Sequence, residues 1–174
     1  MLRIKHVAIL ALTTIVLSVH SRESSAQVVP HKGRGIGFYA PNETGTGGFY
    51  DVAGLATHLG RHTGFGGITT EPTEDPLVLT FSGDGEQVWI AADGSTVIST
   101  MDPGMVQLIP LDATFTTFTA IWSSTFTIEG GTGRFANAGS ASEPLTVVAI
   151  NRPFALTDPI WVFDWTFNGK FRLR

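Results

Sequence analysis

Cysteine is absent from this chain of 174 residues. Its absence excludes disulfide bonds, thiol nucleophiles and metal sites that use cysteine ligands. The protein must therefore be held together by its hydrophobic core alone. The length allows one domain and is too short for two of ordinary size, and a domain of about 150 residues can bury a sufficient core.

Basic residues are scarce as well. Lysine and arginine total 11 against 15 aspartates and glutamates, so the formal net charge is −4. Residues 1–26 carry Arg3, Lys5, Arg22 and Glu23, and the loss of these three positive charges and one negative charge takes the net charge to −6. A nucleic-acid partner requires a basic stripe or patch, so this balance excludes nucleic acid from the expected partners.

Long apolar runs are missing except near the N-terminus. Residues 1–6 (MLRIKH) are basic, the thirteen residues Val7–Val19 carry no charge, and HSRESSA ends in small residues. This order predicts a secretory signal peptide over residues 1–26 that is cleaved after Ala26, and hence an extracellular or periplasmic location. The alternative is a retained membrane anchor, although a bilayer span needs roughly 20 apolar residues. No later run is long enough, so we expect no membrane span in the mature chain.

Helical periodicity is almost absent. Short runs rich in Thr, Val, Ile, Phe and Trp, separated by Gly, Pro, Asp and Asn, predict strands instead. Irregular alternation around Phe115, Phe118 and Ile121 predicts a bulge or a break between two strands. Many antiparallel strands with short links predict an all-β domain, either a barrel or a sandwich. The expected strands lie near Gly48–Gly64, Pro76–Gly83, Gln87–Ala92, Gly94–Met101, Ala113–Ile128, Ala141–Asn151 and Ile160–Leu173.

The residues between these runs predict turns. SGDGE (82–86) and AADGS (91–95) each place Asp-Gly between apolar runs, which is the preferred composition of a two-residue hairpin turn. The prolines of TEPTEDP and MDPGM predict loops, because a central strand does not accept proline. Residues 27–47 are rich in glycine and proline, and we expect a flexible N-terminal arm there. The predicted barrel domain is residues 48–174.

The segment GGTGRF has two interpretations. A phosphate-binding glycine loop leads from a strand into a helix, but the residues after GGTGRF lack the pattern of an amphipathic helix. The sequence therefore favours a tight corner in which Gly130, Gly131 and Gly133 adopt positive φ and Phe135 packs into the core. Arg134 is expected to hold neighbouring carbonyl groups or a carboxylate rather than a substrate.

GGTGRFANAGS, together with the preceding FTIE, resembles the hallmark turn of the dirigent proteins and the allene oxide cyclases. GLATHLGRHTG (54–64) and AADGS are similar to a bacterial branch of secreted proteins with that barrel, and FDWTFNGKFRL is similar to the last strand of the family. The resemblance implies a single antiparallel eight-stranded β-barrel over about residues 48–173. It implies no catalytic residue, since no position matches the acidic and cysteine groups credited with cyclase catalysis.

The histidines are the first candidates for chemistry. If residues 54–64 form one strand, His58 and His62 lie on the same face about 13 Å apart at roughly 3.3 Å per residue, which is too far for one metal ion. His31 lies elsewhere in the chain, so we expect no metal site, and nothing indicates a cofactor. The same alternation places two sets on opposite faces, Leu55, Thr57, Leu59 and Arg61 against Ala56, His58, Gly60 and His62.

A catalytic interpretation concerns four residues. His58 or Arg61 can point into a ligand cavity and act with Asp93 or Asp164 from neighbouring strands in proton transfer or ion pairing. The alternative, which we favour, places these residues on the surface, at an interface, or in hydrogen bonds that fix strand packing.

Aromatic residues offer a ligand site of a different kind. Several of them can line an apolar pocket, although aromatic side chains more often fill a small barrel. The candidate ligand-binding residues are Trp89, Trp122, Phe126 and Trp165, with Trp161, Phe163 and Phe167 as further members of the set.

Three functions are compatible with this sequence. The favoured one is a secreted barrel that binds a small apolar ligand or a protein partner without catalysis. The second is an isomerase or cyclase, because such barrels steer a reactive intermediate by shape and need few catalytic residues. The third is a structural or surface protein that forms homodimers or homotrimers. An apolar cavity that contains His58 or Arg61 with an acidic partner would favour the enzyme, and an interior filled by Trp and Phe would argue against it.

Overall fold

A computed structural model describes residues 26–173, so the predicted signal peptide lies outside the described residues except for Ala26. A short 3₁₀ helix spans Gly133–Phe135. In chain order the strands of this part are β1 (Gln27–Pro41), β2 (Gly47–Ala56), β3 (Gly60–Pro72), β4 (Val78–Ala91), β5 (Thr96–Met101), β6 (Gly104–Pro110), β7 (Phe118–Gly131), β8 (Gly139–Ser140), β9 (Leu145–Asn151) and β10 (Trp161–Leu173).

These strands form a closed antiparallel barrel with eight strand positions around its circumference. β1, β2, β3 and β4 pair in order, and β7, β9 and β10 follow on the other side. β5 and β6 together occupy one strand position, since both pair with β4 and with β7 and only residues 102–103 separate them. β8 pairs with the end of β10, and β10 closes the barrel by pairing with β1 from Gln27↔Leu173 to Tyr39↔Trp161. The predicted all-β, eight-stranded barrel is confirmed.

The prediction of a flexible arm over residues 27–47 is wrong. Gln27–Pro41 forms β1, which lies between β2 and β10 and completes the barrel. Glycine and proline in this segment suggested a loop because they are depleted in ordinary strands. Here they occupy a strand, and large side chains of the neighbouring strand fill the space that the glycines leave empty.

Glycines of β1 stand opposite aromatic residues of β10. The register pairs Gly33 with Phe167, Gly35 with Trp165, and Gly37 with Phe163. A Cβ at Gly33 or Gly37 would overlap the ring of its partner, and one at Gly35 would lie 2.8 Å from the Trp165 ring. The missing side chains therefore make room for three large rings inside a narrow barrel, and the rings cover the bare backbone.

The prediction of one strand over Gly48–Gly64 is also wrong. β2 ends at Ala56 and β3 begins at Gly60, so residues 57–59 form the turn of a hairpin. His58 and Gly60 have φ values of 68° and 69°, both in the left-handed region that tight turns use. The chain reverses at this point, and the alternation expected across it does not hold.

The two Asp-Gly segments have different outcomes. The hairpin expected at AADGS is confirmed, since β4 ends at Ala91, β5 begins at Thr96, and Gly94 has a φ of 82°. A hairpin at SGDGE is wrong, because β4 continues through it. Residues 85–87 of β4 stand opposite one residue of β3, so Asp-Gly forms a bulge in which Gly85 has a φ of 76°.

Most of the remaining predicted breaks and loops are observed, and Pro72 of TEPTEDP is the exception, because it is the last residue of β3 and pairs with Leu79. β7 begins at Phe118, and Phe115 lies in the preceding turn with a φ of 55°, so the predicted break is confirmed. Residues 73–77 and 102–103, which contain the predicted loop prolines Pro76 and Pro103, lie between strands.

The packing of the barrel interior differs along its length. At mid-height Trp89 makes edge-to-face contacts with Phe126 and Trp165, with ring centroids 5.4 and 5.9 Å away. Towards the start of β1 the barrel is filled by Phe135 and Phe171, which are 1% and 0% exposed. The other end, where β10 begins, contains a cavity.

Candidate functional site

The residues of the GGTGRF corner pack into the core and against neighbouring backbone. Phe135 is buried, as predicted, and its ring centroid lies 6.4 Å from that of Phe171. Gly133 has a φ of 57°, whereas Gly130 and Gly131 are paired residues at the end of β7 without positive φ, so the prediction is wrong for these two. Gly131 is still required, because a Cβ there would overlap the Thr96 carbonyl oxygen.

Arg134 holds a carbonyl group and a carboxylate, as predicted. Its guanidinium donates to the Leu59 carbonyl oxygen at 3.2 Å and lies 3.1 Å from an Asp93 carboxylate oxygen. The same group lies over the Phe135 ring at 4.9 Å. The Ser95 N–H donates to Asp93 and, with Arg134, lowers the pKa of that carboxyl. Arg134 thus joins the corner to the β2–β3 turn and to the β4–β5 hairpin.

We expect Arg134→Ala to lower the free energy of unfolding by about 1 kcal/mol, because it removes a hydrogen bond to a backbone carbonyl together with a half-exposed ion pair. Urea unfolding followed by circular dichroism measures the change. The matched control is Arg152→Ala, which removes the exposed pair with Asp164 at 3.2 Å and should cost about 0.3 kcal/mol. Equal losses in the two variants would contradict the bridging role of Arg134.

The four candidate acid–base residues are not brought together. Asp93 pairs with Arg134 and Asp164 pairs with Arg152, both on the surface. His58 is exposed in the β2–β3 turn, where its Nε2 lies 3.1 Å from the Pro30 carbonyl oxygen. Arg61 is exposed on the outer face of β3.

The two faces predicted for residues 55–62 are wrong for the same reason. Leu59 is buried whereas Leu55 is exposed, because the turn between β2 and β3 lies between them. His62 is buried inside the barrel, while His58 remains outside it.

An apolar cavity of about 70 Å³ occupies the end of the barrel where β10 begins. Trp89, Trp122, Phe126 and Trp165, the four residues predicted to line a pocket, all line it. None of His58, Arg61, Asp93 and Asp164 does. The rest of the wall is Tyr39, Tyr50, Val52, Ile68, Phe81, Met101, Ser124, Val147, Ala149 and Phe163.

The polar atoms of the tryptophans are used in fixing the wall. Trp89 Nε1 donates to Ser99 Oγ at 3.1 Å, and Trp122 Nε1 donates to Asn151 Oδ1 at 2.5 Å. Trp165 Nε1 donates to the Ile36 carbonyl oxygen at 3.3 Å. With their N–H groups satisfied behind the wall, these residues present ring carbons to the cavity.

The hydroxyl groups of Tyr50 and Ser124 are engaged in the same way. Tyr50 donates to Gln87 Oε1 at 2.6 Å, and Gln87 in turn donates to the Gly67 and Gly85 carbonyl oxygens, which fixes the β4 bulge. Ser124 donates to the Asp102 carbonyl oxygen at 2.5 Å. Burial raises the pKa of Tyr50 and raises that of Tyr39 to about 12, so both phenols are neutral at physiological pH.

Two buried histidines complete the interior. His31 is 2% exposed, and its ring centroid lies 4.7 Å from that of Phe167 and 4.4 Å from that of Phe171. His62 is 5% exposed and packs against Trp89 and Trp165. The sequence does not single out His31, because His31 lies in the segment predicted to be a flexible arm, and it predicts that His62 shares a face with His58.

The outer face of the barrel carries a shallow open groove across β2, β1, β10 and β9. Leu55 and Ile150 are half exposed there, and Arg34 and Asp164 are charged groups at its sides. Such a face suits contact with a protein, and the predicted homodimer or homotrimer stays a prediction.

Two classes of feature are absent from residues 26–173. This part of the chain has no helix of the length and apolar character needed to cross a membrane. It also has no group of three or more His, Asp or Glu side chains placed to hold a metal ion.

Compared with known proteins, the chain matches no family model, no curated protein and no solved structure at a significant level. The likeness to the dirigent proteins and allene oxide cyclases therefore stays a prediction drawn from the glycine-rich turn and the segments around it. The closed eight-stranded barrel that this likeness implies is observed.

Proposed function

We propose that the barrel binds a small apolar molecule, or the apolar end of a larger one, in the cavity and does so without catalysis. The observation that carries this proposal is the composition of the wall, which is almost wholly apolar and aromatic. Sites for small molecules are concave and mostly apolar, with few polar groups. In the proposal the barrel acts after export from the cell, as residues 1–26 predict.

The size of the cavity limits the ligand. A rigid cavity of about 150 Å³ accommodates benzene, and drug-sized ligands occupy roughly 300 to 1,000 Å³. The volume here is about 70 Å³, which holds a ligand of few atoms or the end of an aliphatic chain as it stands, so an aromatic ring such as that of toluene enters only when the wall widens. Met101 is only partly buried, and its flexible thioether side chain can move to admit a larger group.

The wall supports binding more than acid–base chemistry. The titratable groups that line the cavity are Tyr39 and Tyr50, and burial raises the pKa of both. The Tyr50 proton is already donated to Gln87. A general acid or base works best when its pKa lies near the operating pH, and neither phenol meets that condition.

The test is a titration of the full chain with toluene, followed by intrinsic tryptophan fluorescence. We expect a saturable change, because three tryptophans line the cavity. Ala149→Leu fills part of the cavity and should weaken toluene binding at least tenfold. The matched control Val148→Leu changes the neighbouring residue, which faces the outer groove, and should bind as the original protein does.

The proposed function would be overturned if toluene gave no saturable signal. It would also be overturned if Ala149→Leu and Val148→Leu bound toluene equally well. Far-ultraviolet circular dichroism establishes that both variants are folded before binding is compared.

A further inference from the structure

Two loops at the cavity end of the barrel hold large apolar side chains in solvent. Residues 111–117 join β6 to β7, and residues 152–160 join β9 to β10. The exposed apolar side chains of these loops, each between 50% and 58% accessible, are Leu111, Phe115, Leu156 and Ile160. We call these four residues the loop patch.

Backbone pairing holds the two loops side by side. Phe118 and Phe154 form an antiparallel bridge, with N···O distances of 2.8 and 2.9 Å in the two directions. Because the bridge is antiparallel, the residues that precede Phe118 lie beside those that follow Phe154. The Leu111 N–H donates to the Thr117 carbonyl oxygen at 2.8 Å, so Leu111 lies beside the same segment. The loop patch is therefore one surface at one end of the barrel.

Phe115 is held in a strained conformation at the centre of its loop. Its φ is 55°, in the left-handed region that bulky residues rarely adopt. The Asp112 carboxylate fixes the loop by accepting three backbone hydrogen bonds of 2.7 to 3.1 Å, from the N–H groups of Thr114, Thr116 and Thr117. Such strain persists only where the surroundings impose it, and it is concentrated at functional sites.

The loop patch lies next to the residues that cover the cavity. Tyr39 lines the cavity, and its ring centroid lies 5.3 Å from that of Trp161. Trp161 packs in turn against Phe154 at 4.3 Å, and Phe154 belongs to the loop of residues 152–160. A ligand that enters the cavity from this end therefore passes the loop patch.

The other two loops at this end are acidic. Residues 42–46 and 73–77 expose Glu43, Glu74 and Asp75 and expose no large apolar side chain. In these four loops, all of which the structure describes, the one cationic residue is Arg152, and it pairs with Asp164. This end of the barrel is apolar on one side and acidic on the other, so it does not attract an anionic surface.

We propose that the loop patch docks on an uncharged lipid surface, from which an aliphatic chain reaches the cavity. At about half exposure, four side chains of this size offer on the order of 400 Å², roughly half of what each partner buries in a stable protein complex. Insertion into a lipid interface has no such requirement, because its strength scales with whatever apolar area is buried. The choice of lipid as the partner rests on the proposed function, since the cavity takes the end of an aliphatic chain.

The test is sedimentation of residues 27–174 with phosphatidylcholine vesicles. This form contains every described strand of the barrel and lacks the apolar run Val7–Val19, which would itself bind lipid. We expect the original protein to bind and Phe115→Asn to lower the partition coefficient about tenfold, because asparagine tolerates the left-handed conformation without the ring. The matched control is Phe65→Thr, which removes a ring that is 48% exposed at mid-height on β3 and should change partition less than twofold.

A fluorescent label locates the contact. Because the chain has no cysteine, Phe115→Cys provides a unique position for an environment-sensitive dye. The emission of this label should shift to the blue when vesicles are added, and that of the same label on Phe65→Cys should not. Replacing a third of the phosphatidylcholine by phosphatidylglycerol should weaken binding, because of the carboxylates on the neighbouring loops.

The lipid docking would be overturned by an original protein that does not bind phosphatidylcholine vesicles, by equal partition of Phe115→Asn and Phe65→Thr, or by stronger binding to the anionic vesicles. A dimer that Phe115→Asn converts to a monomer, without vesicle binding, would mean that a second copy covers the loop patch. Toluene binding without vesicle binding leaves the cavity function standing and removes the docking surface. Vesicle binding through Phe115 without toluene binding does the reverse.

Discussion

Gly35→Ala is expected to destabilise the barrel by about 3 kcal/mol or more, which is large for the addition of one methyl group. The new Cβ would overlap the Ala53 carbonyl oxygen and lie 2.8 Å from both the Gly54 Cα and the Trp165 ring. Two of these neighbours are backbone atoms of a paired strand, so they cannot move aside without opening the β1–β2 ladder. Urea unfolding of the full chain measures the loss.

Gly130→Ala is the matched control for this prediction. Gly130 also lies in a strand, yet a Cβ built there meets no atom within 4 Å. We expect this variant to be unchanged or more stable by up to about 0.5 kcal/mol, since alanine restricts the unfolded chain. A Gly35→Ala protein as stable as Gly130→Ala would show that the glycines of β1 do not make room for the rings of β10.

The glycines of β1 show why part of the fold could not be predicted. The barrel and most strand positions follow from runs of β-branched and aromatic residues, which are local signals. The role of Gly33, Gly35 and Gly37 depends on rings more than 125 positions away in the chain. No local pattern distinguishes a strand of this kind from a glycine-rich loop, so the sequence alone predicts an arm there.

The two Asp-Gly pairs illustrate the same limit. Both satisfy the composition of a hairpin turn, and only Asp93-Gly94 is one. At Asp84-Gly85 the chain continues, because the Gln87 side chain donates to the Gly85 and Gly67 carbonyl oxygens and holds a bulge in place. A buried glutamine whose side chain bonds to backbone carbonyl groups has no recognisable sequence pattern.

The candidate site, too, could be predicted only in part. The aromatic wall could be predicted, because large apolar side chains on alternating strand positions must face inward. His62 could not be chosen over His58, since that choice depends on the hairpin turn at residues 57–59. Once the turn is in place, His58 lies outside the barrel and His62 lies beside two wall residues.

His31 should make the protein sensitive to acid. Burial, and secondarily the charge of His58, lowers the pKa of His31 to about 3, whereas the unfolded chain has a pKa near 6.5. The folded value is the lower one, so the stability is fully present above about pH 6.5 and is lost as the pH falls towards 3. Over that window the unfolded chain binds a proton that the folded protein does not, and the free energy of unfolding falls by up to about 1.4 kcal/mol per pH unit.

The comparison of variants isolates this histidine from the carboxylates that also titrate in acid. His31 packs against Phe167 and Phe171, so phenylalanine at position 31 suits its surroundings and cannot be protonated. Between pH 7 and pH 4 we expect the original protein to lose about 3 kcal/mol more than His31→Phe, measured by urea unfolding at each pH. His58→Gln, at an exposed position, should retain most of the dependence. If His31→Phe lost stability as steeply as the original protein between pH 7 and pH 4, His31 would not be a buried neutral group in the folded protein.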